Sequence, residues 1–195
     1  MLLLVRHGDT DWNREPARCQ GWAQVDLNVV GRAQARAQGR ALRGRGLELI
    51  VSSHLLRARQ TAELIAAELG GDVQVISDPR LAETHRGDWE ARTFREIMAE
   101  DPEGWRQYRE QPESFRFPGG ESLAEQQRRV LAALRDVAQG GRDALLVTHG
   151  GSIRLVRCFL DGRGIAAFHD MTLGNCEVDE VSSDGLIPRI ERFLT

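Results

Sequence analysis

Lysine is missing altogether: all 26 Lys+Arg positions in the 195 residues are arginine. That excludes a P-loop lysine and a Schiff-base lysine, so any phosphate clamp must be built from arginine, histidine and backbone N–H groups. Cysteine is scarce. Cys19, Cys158 and Cys176 are odd in number, far apart and without a CxxC pair, which excludes a disulfide framework and points to a reduced cytoplasm. No apolar run approaches the ~18 residues of a membrane-spanning helix. Met1–Val5 is too short for a signal peptide and meets Arg6 too soon. A net charge of -3 speaks against a broad basic face for nucleic acid. Neither nucleic acid nor a membrane is an expected partner. GxGxxG after the first strand, the GxSxG elbow, HExxH and HxH are all missing, which removes the simplest dinucleotide, serine-hydrolase and metal readings.

What is present is a repeated pattern. "LLLVRHG" (Leu2–Gly8) and "ALLVTHGG" (Ala144–Gly151) each run from an apolar stretch through one polar residue to His-Gly. Short unbroken apolar runs predict buried strands at Leu2–Val5, Leu47–Val51, Val73–Ile76 and Ala144–Thr148. Between them lie helical patterns. Asn28 can cap a helix through 29–43, stopped by Gly44 and Gly46. The stretch 54–69 carries Ala58, Ala62, Ile65 and Leu69 on one face and ends at Gly70. Ser122, with Glu125 three positions on, is a capping box for a helix that ends at Gly140-Gly141, and 150–160 begins another helix at once. "CEVDEVS" and "RIERFL" read as closing strands.

This alternation implies an α/β fold: a three-layer sandwich with a mostly parallel central sheet and helices on both faces. The chain is expected to form one domain over 1–195. Residues 79–121 are aromatic, charged and proline-punctuated, and are expected to be an irregular surface insertion that partly covers the site. Its aromatics are expected to pack together rather than stack on bases.

In a parallel sheet, sites form beyond the carboxyl ends of the strands. His7 and His149 fall there, Arg57 lies in the first turn of the helix after the second strand, and Glu83 follows the third. The set suits phosphoryl transfer. A neutral imidazole is a good nucleophile towards phosphorus near neutral pH. Arg6 and Arg57 can present forked hydrogen bonds to phosphoryl oxygens, and His149 can add a donor. The amides of Gly150 and Gly151 open a helix whose dipole favours an anion. A carboxylic acid such as Glu83 can protonate the leaving oxygen. Each residue also has a plainer reading: a hydrogen-bonded structural histidine, a surface carboxylate, a solvated arginine. Arg59 is given the last of these. His54, His85 and His169 show no metal-ligand spacing. His85 and Arg86, close to Glu83, either touch the substrate or merely cover the site. In "SSH" the adjacency of Ser53 and His54 does not pair them geometrically.

"RHGDTDWN" resembles the signature of the histidine phosphatase superfamily, in its phosphoglycerate-mutase-like branch. "SSHLLRARQTA", "LAETHRGDWE", "FPGGESL" and "LLVTHGG" follow in the family's order and span most of the chain. The resemblance implies a phosphoglycerate-mutase-like fold and a His7 that is phosphorylated during turnover. It implies that Arg6, Arg57 and His149 hold the phosphoryl group with Asn13 contributing, that Gln20 and Gly21 make a small phosphate-side contact, and that Glu83 donates the proton. It implies no metal and no organic cofactor. Asp9 stands where the family often has Glu or Gln.

The short length, "GDWE" and "PGGES" are more similar to phosphatases than to mutases, with phosphatases of the α-ribazole phosphatase type the nearest in pattern. The expectation is therefore a metal-independent phosphomonoester hydrolase acting on a small phosphorylated metabolite. α-Ribazole 5'-phosphate is the leading candidate, ahead of a sugar phosphate, phosphoglycerate or phosphoserine. The alternatives are phosphoglycerate mutase-type phosphoryl transfer and, in a different class, an inactive phospho-ligand-binding protein. A homodimer is left open.

Overall fold

The two stretches that end in His-Gly are neighbouring strands. In the computed structural model, which describes residues 1–71 and 73–195, β1 (Leu2–Arg6), β2 (Leu49–Ser52), β3 (Gln74–Ser77), β4 (Ala144–Thr148) and β5 (Val178–Val181) form one sheet in the order β3-β2-β4-β1-β5. Every pairing is parallel except that of β5 with β1. The register of β1 against β4 sets Leu2 opposite Ala144 and Arg6 opposite Thr148. His7 and His149 therefore leave the sheet side by side.

Strands covered on both faces need apolar side chains pointing both ways, which is why β1 and β4 read as unbroken apolar runs. Leu3 and Val5 of β1 point into one core with Ile50, Leu145, Val147 and the Ala58, Ala62 and Ile65 stripe of α2 (Leu56–Leu69). Helix α1 (Val29–Ala41) packs beside α2, and its Gly39 is so close that a Cβ there would meet Glu68 Cβ at 2.7 Å. Leu2 and Leu4 point into the opposite core, filled by Val130, Leu131 and Leu134 of a long helix and by Ile153 and Val156 of the helix after β4. The helix starts are where the polar caps place them. Asn28 accepts the Gly31 N–H at 2.9 Å, and Gly70, at φ 71°, ends α2 in a conformation that glycine adopts without a Cβ penalty.

The stretch 79–121 is more regular than its proline and glycine content suggests. It holds α3 (Phe94–Glu100), capped by Thr93, and α4 (Pro102–Glu110), capped by Asp101. Proline is tolerated at the first position of α4 because that N–H has no partner within the helix. The aromatics do pack together. Trp89, Tyr108, Phe115 and Phe117 are buried, with ring centroids 5.0–5.7 Å apart in contacting pairs. Phe168, in a short 3-10 helix near the C-terminus, closes the cluster.

Helix α5 (Leu123–Gln139) begins at the Ser122–Glu125 capping box, and α6 (Gly150–Leu160) begins directly after His149. "RIERFL" is not a strand. It belongs to α7 (Leu186–Leu194), because Leu186 and Ile190 repeat at helical spacing and both bury against α5 and α6. Pro188 sits in the first turn, where a missing N–H costs the helix nothing.

Candidate active site

His7 is positioned by its backbone before its side chain acts. Its N–H donates to Thr148 O at 2.9 Å, extending the β1–β4 ladder by one residue, and its carbonyl accepts from Asn175 Nδ2 at 3.0 Å. Gly8 N–H donates to Thr61 Oγ1 at 3.0 Å, and Thr61 Oγ1 donates in turn to Arg57 O. The loop then crosses α1 so closely that a Cβ on Gly8 would lie 2.5 Å from Gly31 O. Backbone contact at that distance requires glycine.

The imidazole of His7 is 3% exposed. Nδ1 lies 2.7 Å from Gly8 O, a group that only accepts, so the Nδ1 proton is fixed there. Nε2 then carries the lone pair, and Arg57 Nε donates to it at 3.3 Å. Burial, followed by the charges of Arg57, His149 and Arg6, pushes the His7 pKa well below the ordinary histidine value. The ring is neutral at pH 7. His149 lies beside it, with ring centroids 5.2 Å apart, and burial followed by Arg57 likewise lowers its pKa strongly. Its Nε2 is 2.9 Å from Ser53 Oγ, which already accepts the Leu55 N–H. The serine hydroxyl keeps its proton and a second lone pair for this contact, so it can donate to Nε2 or accept from it, and His149 Nδ1 is buried with no partner among the described residues. The serine that does meet a histidine is Ser53, and it meets His149, not the adjacent His54.

Arg57 is fully buried and clamped. Its Nη1 donates to Ala23 O at 2.9 Å and its Nη2 to Gly21 O at 2.8 Å, so the loop 6–26 dictates where its Nε points. Burial brings its pKa down to about 10, with Glu83 and Glu90 opposing, and the group stays charged at pH 7. Arg6 donates from Nη1 to Leu173 O at 2.6 Å, while its Nε is buried without a partner among the described residues.

Glu83 arrives from the other side of the cavity. Its Oε1 accepts from Thr84 N at 2.9 Å and Gln126 Nε2 at 3.1 Å, and its Oε2 accepts from Gly151 N at 3.1 Å. Gln126 also donates to Ser152 Oγ at 3.0 Å, locking α5 and α6 around the carboxylate. Burial alone would push the carboxyl up. The Arg86 guanidinium, the N–H groups of Thr84 and Gly151 and the Arg57 charge outweigh it and bring Glu83 down to about 2.

Arg6, His7, Asn13, Gln20, Gly21, Arg57, Glu83, Gly150 and Gly151 all line one cavity of about 220 Å³, and His149 stands against its wall beside His7. Three of these residues are used differently from the simplest expectation. Asn13 Oδ1 accepts from Thr10 N and Thr10 Oγ1, both at 3.0 Å, bracing the loop. Gly21 serves through its carbonyl, which holds Arg57. The Gly151 amide is engaged by Glu83 and is not free for an anion. Gln20 keeps a buried Oε1 without a partner among the described residues. Arg86 lines the cavity, whereas His85 packs against Trp22 with ring centroids 4.8 Å apart. Arg154 also lines the cavity and was not legible, because it reads as an ordinary polar position of an amphipathic helix. Gln126 left one signal: a polar residue on the buried face of a helix. Among the described residues no three His, Cys, Asp or Glu side chains converge as a metal-ligand group, and no helix is long and apolar enough to cross a membrane.

Comparison with known proteins shows the family. The family described as the histidine phosphatase superfamily (branch 1) matches residues 2–194. A probable phosphoglycerate mutase GpmB of Salmonella paratyphi B is 38% identical over 184 residues, covering 92% of this chain and 83% of the relative. YhfR of Bacillus stearothermophilus superposes with a TM-score of 0.84 at 30% identity, covering 93% of this chain and 91% of that one. Mycobacterial glucosyl-3-phosphoglycerate phosphatase, solved in complex with VO3, gives 0.81 at 32% identity over 91% of this chain and 88% of that one.

Proposed function

The chain belongs to branch 1 of the histidine phosphatase superfamily, and from that premise we propose that it hydrolyses a small phosphomonoester through a phosphohistidine on His7. The observation that carries this reading is the state of His7: neutral, with its Nδ1 proton tied to Gly8 O and its Nε2 lone pair facing Arg57 in the cavity. In the first step the phosphoryl oxygens take over the Arg57 Nε–H donor, the freed Nε2 lone pair attacks phosphorus and the ester P–O bond breaks. Arg57, Arg6 and His149 meet the phosphoryl oxygens, and the Glu83 carboxyl gives its proton to the leaving oxygen. With the cavity empty, Glu83 is ionised. A phosphoryl group brought against it adds negative charge and favours the protonated carboxyl, the proton arriving with the monoanionic ester or from solvent. In the second step water attacks phosphorus, the P–N bond breaks, inorganic phosphate forms and the water's proton returns to Glu83. Residues 79–121 act as the partial lid of a single unit. The buried free cysteines fit a reducing compartment such as the cytoplasm.

A cavity of about 220 Å³ is smaller than the ~300–1,000 Å³ of typical drug-sized sites. The cavity is half open, so phosphoglycerate, phosphoserine or a small sugar phosphate fits within it and a larger ester such as α-ribazole 5'-phosphate would extend from its mouth. Phosphoryl transfer to a second acceptor is the alternative that the Salmonella relative's name supports. A phosphomonoester screen run beside a phosphoglycerate mutase assay decides between them, with chelator and vanadate as further arms. Inorganic phosphate should be released without isomerisation, unaffected by chelator and inhibited by vanadate. Isomerisation without phosphate release would establish the mutase, and activity lost to chelator and restored by one divalent ion would refute the mechanism.

A further inference from the structure

Helix α5 buries an apolar stripe, and a polar side chain interrupts it. Gln126 lies between Leu123 and Val130 at helical spacing, and it is fully buried, as are its partners Thr84 and Ser152. A buried amide is costly unless its hydrogen bonds are made, and these are. Gln126 Oε1 can only accept, so the Thr84 hydroxyl donates to it across 2.5 Å rather than to Glu83 Oε1 at 3.3 Å. That orients the amide with Nε2 towards Glu83 Oε1 at 3.1 Å and Ser152 Oγ at 3.0 Å. The Ser152 hydroxyl gives its own proton to Ala82 O at 3.1 Å.

The two oxygens of Glu83 are consequently unlike. A carboxylate oxygen offers two acceptor sites, and on Oε1 both are taken, by the Thr84 and Gln126 N–H groups. Oε2 accepts from the Gly151 N–H at 3.1 Å and, among the described residues, from no other donor. A proton arriving on Oε1 would have to expel a donor within a buried site. A proton arriving on Oε2 leaves all three bonds in place, because Oε1 becomes a carbonyl oxygen that still accepts twice. Building on the hydrolase reading above, we infer that Glu83 Oε2 is the oxygen that bears and gives the proton, and that Gln126 is the positioning residue that reserves it for this role. As the ester P–O bond breaks, the O–H bond at Oε2 breaks and its proton passes to the leaving oxygen. Attack of water on the phosphohistidine returns a proton to the same atom. A neutral amide suits this cycle, since it donates to Oε1 whether Glu83 is charged or not.

The test compares kcat/KM for nitrophenyl phosphate with that for the best alkyl phosphate of the screen above. This quantity reports the steps up to alcohol release, so hydrolysis of the phosphohistidine does not enter. Gln126→Met keeps the length of the side chain and removes its hydrogen bonds. It should raise the nitrophenyl-to-alkyl ratio by ~10–100-fold, the worth of a hydrogen bond to a charged group and of a misplaced proton donor. Thr84→Val, which frees the amide to turn its oxygen on Glu83, should act in the same direction. Thr84→Ser, which keeps the hydroxyl, should stay near the wild-type ratio. In a Glu83→Gln background the ratio should no longer respond to Gln126→Met. Because the readout is a ratio, a general loss of packing does not imitate the effect. If Gln126→Met fails to fold, the contrast between Thr84→Val and Thr84→Ser decides. An unchanged ratio, or a shift that persists in the Glu83→Gln background, overturns the role of Gln126 while leaving the hydrolase intact. A wild-type enzyme that releases phosphate from no alkyl ester overturns the hydrolase reading and this one with it.

Discussion

At the scale of single residues, the site assigns its protons before substrate arrives. Gly8 O fixes the proton of His7 on Nδ1, and Ser53 Oγ holds the His149 ring through Nε2. Glu83 carries no proton while the cavity is empty, since three hydrogen bonds from Thr84 N, Gln126 Nε2 and Gly151 N hold it as a carboxylate. If Glu83 is the acid, its value depends on how basic the leaving oxygen is. Loss of the acid should slow expulsion of an alkoxide by ~10²–10⁴-fold and that of a nitrophenolate far less. Glu83→Gln should therefore depress the pre-steady-state burst of alcohol release from an alkyl phosphate and largely spare the burst from nitrophenyl phosphate. Equal slowing of both bursts would mean that Glu83 shapes the site without giving a proton.

At the scale of elements, the in-register pairing of β1 with β4 sets the two histidines side by side, and the absence of any spacer between β4 and α6 brings the first turn of that helix against Glu83. This closeness can be tested at Gly151, where a Cβ would lie 2.2 Å from Glu83 Oε1. Replacing a helix glycine by alanine ordinarily stabilises by about 1 kcal/mol. Here Gly151→Ala must displace the carboxylate, so turnover of an alkyl phosphate should fall by ~10²-fold, comparable to impairing the acid itself. A Gly151→Ala enzyme with full activity and a raised Tm would show that the carboxylate moves aside without consequence. The elements that sequence reasoning placed well were those with strong local signals: unbroken apolar strands, the Asn28 cap and the Ser122–Glu125 box. Helix α7 was misread because its nine residues offer few apolar repeats and contain Pro188, whose harmlessness depends on where the helix begins.

At the scale of the molecule, the legible part of the site was the part carried by the sheet. His7, Arg57 and His149 stand at or just beyond strand ends, where position along the chain translates into position in space. Arg154, Ser53 and Gln126 were not assigned, and Arg86 was left between touching the substrate and covering the site, because their roles depend on how the aromatic segment and helices α5 and α6 fold over the sheet. Hydrolysis by this route requires His7 to become covalently phosphorylated, and the direct measurement is rapid acid-free quenching of the enzyme during turnover of a radiolabelled phosphomonoester. The expected result is an acid-labile, base-stable label that maps to His7 and is absent from a folded His7→Ala variant without turnover. Label on another residue, or wild-type turnover by His7→Ala, would contradict it.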